Sequence, residues 1–270
     1  MTVQEILTEA VRDLSEHGFD SETRLNDWLG RLQKAIRSNT KSPPAMEEAI
    51  RDALGSIYRR LTEKGQVLKQ HPGIGKFTID RIAPRLHLEL ERRIIASSQL
   101  IKLNCDEMRE KTLRRLAGWA TSIPKGGSET VDKRKVKQEI YKPIASQPFE
   151  VRRLLIDQGH KLNASISATI AEANGVIAKQ WHSRWRRPGY NYREDHKERD
   201  ENYYLVRGSW AQEQGFVKPR PNGYTDEITQ VAEEPFCSCF YTSLYHLRQL
   251  PEDMLTEKGK EAIKAARAAA

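Results

Sequence analysis

Apolar residues in the first half of the chain recur at the spacing of one helical face. Ile6, Ala10, Val11 and Leu14 repeat at intervals of three and four behind Thr2 and Glu5, which stand as a capping box, and His17-Gly18 closes the stretch. Leu25, Trp28, Leu29, Leu32 and Ile36 predict a second helix, ended by the break SNTKSPP. Met46, Ile50, Leu54, Ile57 and Leu61 form a third amphipathic stripe. Leu86, Leu90, Ile94 and Leu100 open a stretch that runs to Thr121 as one long helix or two abutting ones, with Asn104 and Glu107 offering a cap at the joint. Helical spacing resumes through Phe149, Leu154, Leu155, Leu162, Ile166 and Ile170, and Asn174-Gly175 ends it as a C-cap does. Each stripe is expected to pack on another helix.

After Gly175 the texture changes. VIAKQWHSRW and YYLVR predict short strands, and Pro, Gly and Asn become frequent. The final segment, SLYHLRQLPEDMLTEKGKEAIKAARAAA, reads as a return to helix. The expected fold is mainly α: an extended helical N-terminal region followed by a small α+β C-terminal module. Residues 1–121 are expected to form the helical region, to which the resemblance given below assigns docking and assembly, and SIPKGGSETVD at 122–132 is a linker rich in Pro and Gly. Residues 133–256 form the second module, whose helices give way to the small α+β part from about 175, and 257–270 are a basic, Ala-rich tail. No internal repeat is found.

Composition narrows the partners. The net charge of +8 suits a polyanion or an acidic partner, and the low apolar fraction of 38% suits a protein with much surface. Three Cys argue against a disulfide-dense secreted fold, no apolar signal segment follows Met1, and no run approaches ~18 apolar residues, so synthesis in a reducing cytoplasm and no membrane partner are expected. Basic residues cluster at Lys133, Arg134 and Lys135, at Arg184, Arg186 and Arg187, and beyond Lys258. HPGIGKFTIDRI at 71–82 looks like a helix-hairpin-helix element, in which Gly73 and Gly75 let backbone N–H groups approach a DNA phosphate beside Lys76 and Arg81. The alternative is a glycine-rich turn before the next helix. Gly73-Ile74-Gly75 lacks the third glycine and the preceding strand of a dinucleotide site.

The chemistry concentrates between Trp181 and Cys239. Cys237 and Cys239 with His182 and His196 make two soft and two borderline donors, a set that tetrahedral zinc accepts. A one-residue gap places the two thiols on opposite faces of a strand, so a bend at Pro235 is needed to aim both at one ion. The alternative makes the cysteines small packing residues, with a His–Asp hydrogen bond fixing the loop. His196, Asp200 and Arg193 also supply the residue types of acid–base chemistry on a phosphodiester. The charged, solvated setting expected for them and the lack of a second carboxylate pair assign no catalytic residue. The aromatics Trp181, Trp185, Tyr190, Tyr192, Tyr203, Tyr204 and Trp210 read as the core of a small domain more readily than as platforms for exposed bases.

At these residues the chain resembles the phage Mu protein F-like minor head proteins, the phage head morphogenesis family. Arg193, His196 and Asp200 match its Arg-x-x-His-x-x-x-Asp segment, Tyr203–Trp210 its aromatic-rich strand, and Pro235, Cys237 and Cys239 its closing Pro-x-Cys-Arg-Cys. The chain departs at Glu201, where the family has Gly, at Ser238, where it has Arg, and at Glu234, where it has His. The resemblance covers about residues 150–250, and LRRLAGWATSIPKGGS (113–128) is similar to the upstream part of related phage proteins. It implies a structural virion component rather than an enzyme. Such a protein is made in the host bacterial cytoplasm, assembled into the head with portal, capsid or scaffold proteins, and set close to packaged double-stranded DNA, which it contacts nonspecifically. The resemblance also implies that Arg193, His196, Asp200, Trp210, Pro235, Cys237 and Cys239 hold the module's shape. A structural zinc ion stays a candidate cofactor from the chemistry of the Cys/His set alone, and the departures from the family pattern count against a metal more than against the fold. The rival readings are a phage-borne nuclease or toxin-like effector, and a DNA-binding module using the Pro-Gly-Ile-Gly turn.

Overall fold

The computed structural model describes residues 1–39, 43–219 and 222–268. The break expected at SNTKSPP, the Gly/Pro-rich stretch and the tail thus fall partly outside the described residues, at 40–42, 220–221 and 269–270. The fold is mainly α with a small three-stranded antiparallel sheet near the C-terminus, as expected. No helix among the described residues is long and apolar enough to cross a membrane. The chain forms two compact units, residues 1–50 with 96–154 and residues 51–95 with 155–270.

The first unit is built on α1 (Val3–His17), α2 (Glu22–Asn39), the start of α3 (Pro43–Thr62), the C-terminal part of α5 (Ala83–Ala120) and the N-terminal part of α6 (Lys133–Ala173). The capping box forms: Glu5 N–H donates to Thr2 Oγ1 at 3.2 Å and Thr2 N–H to Glu5 Oε2 at 2.8 Å. Leu7, Leu14, Leu32 and Leu116 are fully buried in one core, over which Trp28 Nε1 donates to Asp13 Oδ2 at 2.7 Å. The helix α5 is unbroken, and Asn104 starts nothing new. Ile101, Cys105, Met108, Thr112 and Leu116 are all buried, so the inward stripe continues across the expected joint and holds one helix.

Two prolines lie inside α6, Pro143 and Pro148. Pro143 cannot donate to the carbonyl of Glu139, and Arg115 supplies the replacement, its Nη1 donating to Glu139 O at 2.5 Å. Segment 122–132 is pinned rather than free. Gly126 N–H donates to His17 O at 3.1 Å and Ser128 N–H to Ser15 O at 2.8 Å. A Cβ added at Gly127 would lie 2.4 Å from Ser15 O, and one at Gly18 would lie 2.0 Å from Pro124 O, so two glycines permit this close approach to the end of α1.

The second unit takes the rest of α3, α5 and α6 with α4 (Lys76–Arg81), β1 (Ala178–His182), α7 (Glu194–Glu198), β2 (Tyr203–Leu205), α8 (Trp210–Glu213), β3 (Phe240–Leu244) and α9 (Glu257–Ala268). The sheet order is β2-β1-β3, with Gln180 opposite Tyr203 and Trp181 opposite Tyr241. The two strands expected after Gly175 are present. The third, β3, replaces the start of the expected terminal helix, because FYTSL is aromatic and β-branched and Pro251 bars a helix from running through. Short 3₁₀ turns at Leu247–Gln249 and Glu252–Met254 follow, and helix returns at Glu257. Ile177, Ala178, Leu205, Leu244 and Met254 pack one core cluster, and Trp181, Tyr204 and Tyr241 another with the two cysteines.

Candidate metal centre

His196 sits in the short helix α7 and is buried, only 1% exposed, against the edge of Trp181 on β1, with ring centroids 5.2 Å apart. The solvated setting expected from its charged neighbours is not what forms. Cys237 and Cys239, 0% and 4% exposed, lie in the turn that leads into β3 and not in a strand, so alternation of faces does not apply. Phe236 takes φ 62°, and this left-handed residue after Pro235 supplies the bend. The turn is held from α6: Asp157 Oδ1 accepts from Phe236 N–H at 2.6 Å, and Lys161 Nζ donates to Ala232 O and Glu233 O at 2.8 and 3.0 Å. Tyr190 Oη accepts from Ser238 N–H at 3.1 Å.

These supports bring both sulfurs to the same nitrogen. Cys237 Sγ and Cys239 Sγ each lie 3.6 Å from His196 Nδ1, and the three donor atoms are within 4.8 Å of one another. Zinc bonds of about 2.3 Å to sulfur and about 2.0–2.1 Å to nitrogen, at tetrahedral angles, put S and N about 3.5–3.6 Å apart. Both sulfur–nitrogen separations therefore suit a shared metal ion, which this group could hold. Cys239 hydrogen-bonds Cys237, which holds the Cys237 thiol below the usual range and pushes Cys239 up, while burial raises both. A cation at the shared focus would take both as thiolates.

On the far side of the ring, Glu234 Oε2 is 3.1 Å from His196 Nε2, and Arg193 Nε is 2.8 Å from the same oxygen. The Glu234 and His196 atoms are in close contact without forming a hydrogen bond. A metal ion held on Nδ1 would leave the ring proton on Nε2, toward this carboxylate. Arg193 Nη2 also donates to Pro235 O at 3.1 Å.

The chain matches no family model, no curated protein and no solved structure in the comparisons made.

Other sequence candidates lie elsewhere. His182 is not in the cluster: its Nε2 is 2.9 Å from Thr242 Oγ1 and its ring stacks on Phe240, because β1 alternation turns it away from Trp181. Asp200 does not pair with His196. Its carboxylate accepts from Ser183 N–H at 2.7 Å and Trp185 Nε1 at 2.8 Å, closing the loop between β1 and α7. Trp210 opens α8, exposed, edge-on to Phe216. Gly73 and Gly75 form a turn docked by Gln249 Nε2 on Pro72 O and by buried His71, whose Nδ1 is 2.5 Å from Tyr245 Oη, so the turn has a packing role at its base. Lys76, paired with Asp80, and Arg81 are exposed on α4. Lys133, Arg134 and Lys135 are exposed in the first turn of α6, capped by Asp132 Oδ1. Arg184 covers Phe240, Arg186 covers Trp185 and lies 3.6 Å from Asp200, and Arg187 is exposed.

Asp157 and Lys161 were missed by sequence reasoning, and no spacing could have found them, since Asp157 is 79 positions from Phe236. Glu234 carried a signal as the acidic residue beside Pro235. Glu201 takes φ 67°, in the left-handed region that favours Gly, with its N–H on Trp181 O at 2.8 Å.

Proposed function

We propose that this chain is a structural protein of the phage head, of the Mu F-like minor head type, whose C-terminal module is closed by a structural zinc ion on His196, Cys237 and Cys239. One observation carries the reading. Of the spaced residues of the resemblance, His196, Cys237 and Cys239 converge on one buried point, with Arg193 and Pro235 at its rim and Asp200 and Trp210 apart from it. Zinc suits two thiolates and an imidazole, and the ion would tie α7 to the turn before β3 across 41 positions. Burial of all three donors favours a structural metal, whose fourth tetrahedral position would fall to a water or another donor. The basic first turn of α6 and the arginines of 184–187 are the surfaces for nonspecific contact with packaged DNA, through phosphate charge.

Two measurements test the two halves. Elemental analysis of the purified protein should find one zinc per chain, and a chelator should lower its melting temperature; a metal-free protein with an unchanged melt overturns the zinc site. Mass spectrometry of heads purified from the phage that encodes the chain should find a few copies per particle. Full-yield infectious heads without it overturn the assembly role.

A further inference from the structure

An open cavity of about 560 Å³ lies within the second unit, lined from α3, the 3₁₀ turn Gln66–Gln70, α6, the loop after β1 and the start of β3. Its floor is apolar, made by Ile57 and Leu61 of α3, Ile156 of α6 and Phe240 of β3. Gly159 lets α3 and α6 come close here, since a Cβ on it would lie 2.8 Å from Ile57 Cδ1. Ile156 is 54% exposed, a large aliphatic that the fold itself leaves uncovered. The charge on the lining has one sign. Arg60, Lys69 and Arg184 reach it from three separate elements, all three are exposed, and no carboxylate joins them. Among the described residues Arg60 and Lys69 make no hydrogen bond or ion pair. Arg184 holds its guanidinium 4.8 Å over the Phe240 ring centroid, a stacked placement that leaves the N–H edge of the group for an acceptor.

We propose that this cavity docks a segment of a partner protein in which acidic residues flank an aliphatic or aromatic anchor. Charge complementarity sets the first half of that description. Cations on three elements with no lining carboxylate call for several negative groups spaced along one chain, not for one small anion. The apolar floor sets the second half. Duplex DNA presents phosphates and would leave Ile57, Leu61 and Ile156 facing water, whereas a Leu or Phe side chain covers them. Arg184, stacked on Phe240, is preorganised to take a carboxylate on two of its N–H groups. The exposed cations speed the encounter and the buried anchor slows release. Arg186 and Arg187 are outside the lining, so DNA contact at their loop does not require this cavity.

The test is fluorescence anisotropy of the full chain with labelled peptides of about twelve residues, long enough to cross the cavity. The first set carries Glu and Asp around a Leu or Phe pair at varied spacing, the second has Ala in place of the anchors, and the third has Gln and Asn in place of the acids. A member of the first set should bind the wild type, and its counterparts in the other two should bind about ten-fold more weakly. Arg60→Glu combined with Lys69→Glu, both on exposed side chains, should weaken binding by about ten-fold or more, an effect that shrinks at high salt. Ile156→Ser, also at an exposed position, should weaken it by about five-fold at every salt concentration. Failure of the whole first set to bind overturns the proposal. So does equal binding by either variant chain, or by the Ala-anchored peptides. A single-stranded oligonucleotide that binds more tightly than any peptide and loses affinity in the same variants assigns the cavity to nucleic acid, and that also overturns it.

Discussion

Leu7, Leu14, Leu32 and Leu116 in the first unit and His196, Cys237 and Cys239 in the second are buried to nearly the same degree, and they do different work. The leucines stabilise by leaving water, an effect without direction that any well-packed apolar set supplies. The second unit places sulfur and imidazole among its buried aromatics instead, with the Arg193 guanidinium at their rim, where stability depends on each group meeting its partner. The lesson is that the first unit tolerates substitution by volume, whereas the second depends on specific atoms.

The largest expected effect separates the units. On the proposed zinc site, a chelator, or changing Cys237 and Cys239 to Ser, should cost the second unit about 4 kcal/mol or more and leave the first unit's transition in place, as read by calorimetry. A single transition that moves as a whole would break the comparison. Leu32→Ala, at a fully buried position, should cost about 3 kcal/mol whether or not chelator is present, measured by denaturant unfolding.

His71 sharpens the contrast through pH. Burial, with Lys179 nearby, pushes its pKa down from 6.5 to about 4. Above pH 6.5 the ring is neutral in both folded and unfolded chains. As pH falls from 6.5 to about 4 the unfolded chain takes up a proton that the folded one refuses, so stability drops by up to about 3 kcal/mol. His71→Asn should flatten that part of the stability–pH curve, and an unchanged slope would show that another group causes it. Arg115→Ala should cost about 1 kcal/mol in the first unit, since it strands the Glu139 carbonyl beneath Pro143 while the arginine itself is half exposed. The smallest effect runs the other way. Glu201→Gly should stabilise the second unit by about 0.5–1 kcal/mol by relieving φ 67°, read as a raised melting temperature.

Helix positions were legible because each stripe reports its own buried face: the capping box at Thr2, the end at Gly18 and the run from Leu162 to Ile170 all follow from local spacing. The unbroken course of α5 was not, since Asn104 is an adequate local cap and only the buried row through Cys105 and Met108 overrides it. Segment 122–132 looks like a free linker because Pro and Gly look alike whether a loop is loose or pinned, and Ser15 and His17 decide which. At the candidate centre the ligand types and three of the four candidate donors could be read directly. The exclusion of His182 rests on its face of β1, and the aim of both cysteines rests on a turn held by Asp157 and Lys161.

Alone, the sequence determined a mainly helical chain, a strand-bearing C-terminal module, a basic surface and an unusual pairing of Cys with His. Tertiary structure decided which histidine meets the cysteines, that Glu234 backs it, and that Arg60, Lys69 and Arg184 line one cavity. The physical reason is range. Periodicity and capping act within a few residues along the chain, whereas a site is made of atoms a few ångströms apart that the chain separates by tens of positions.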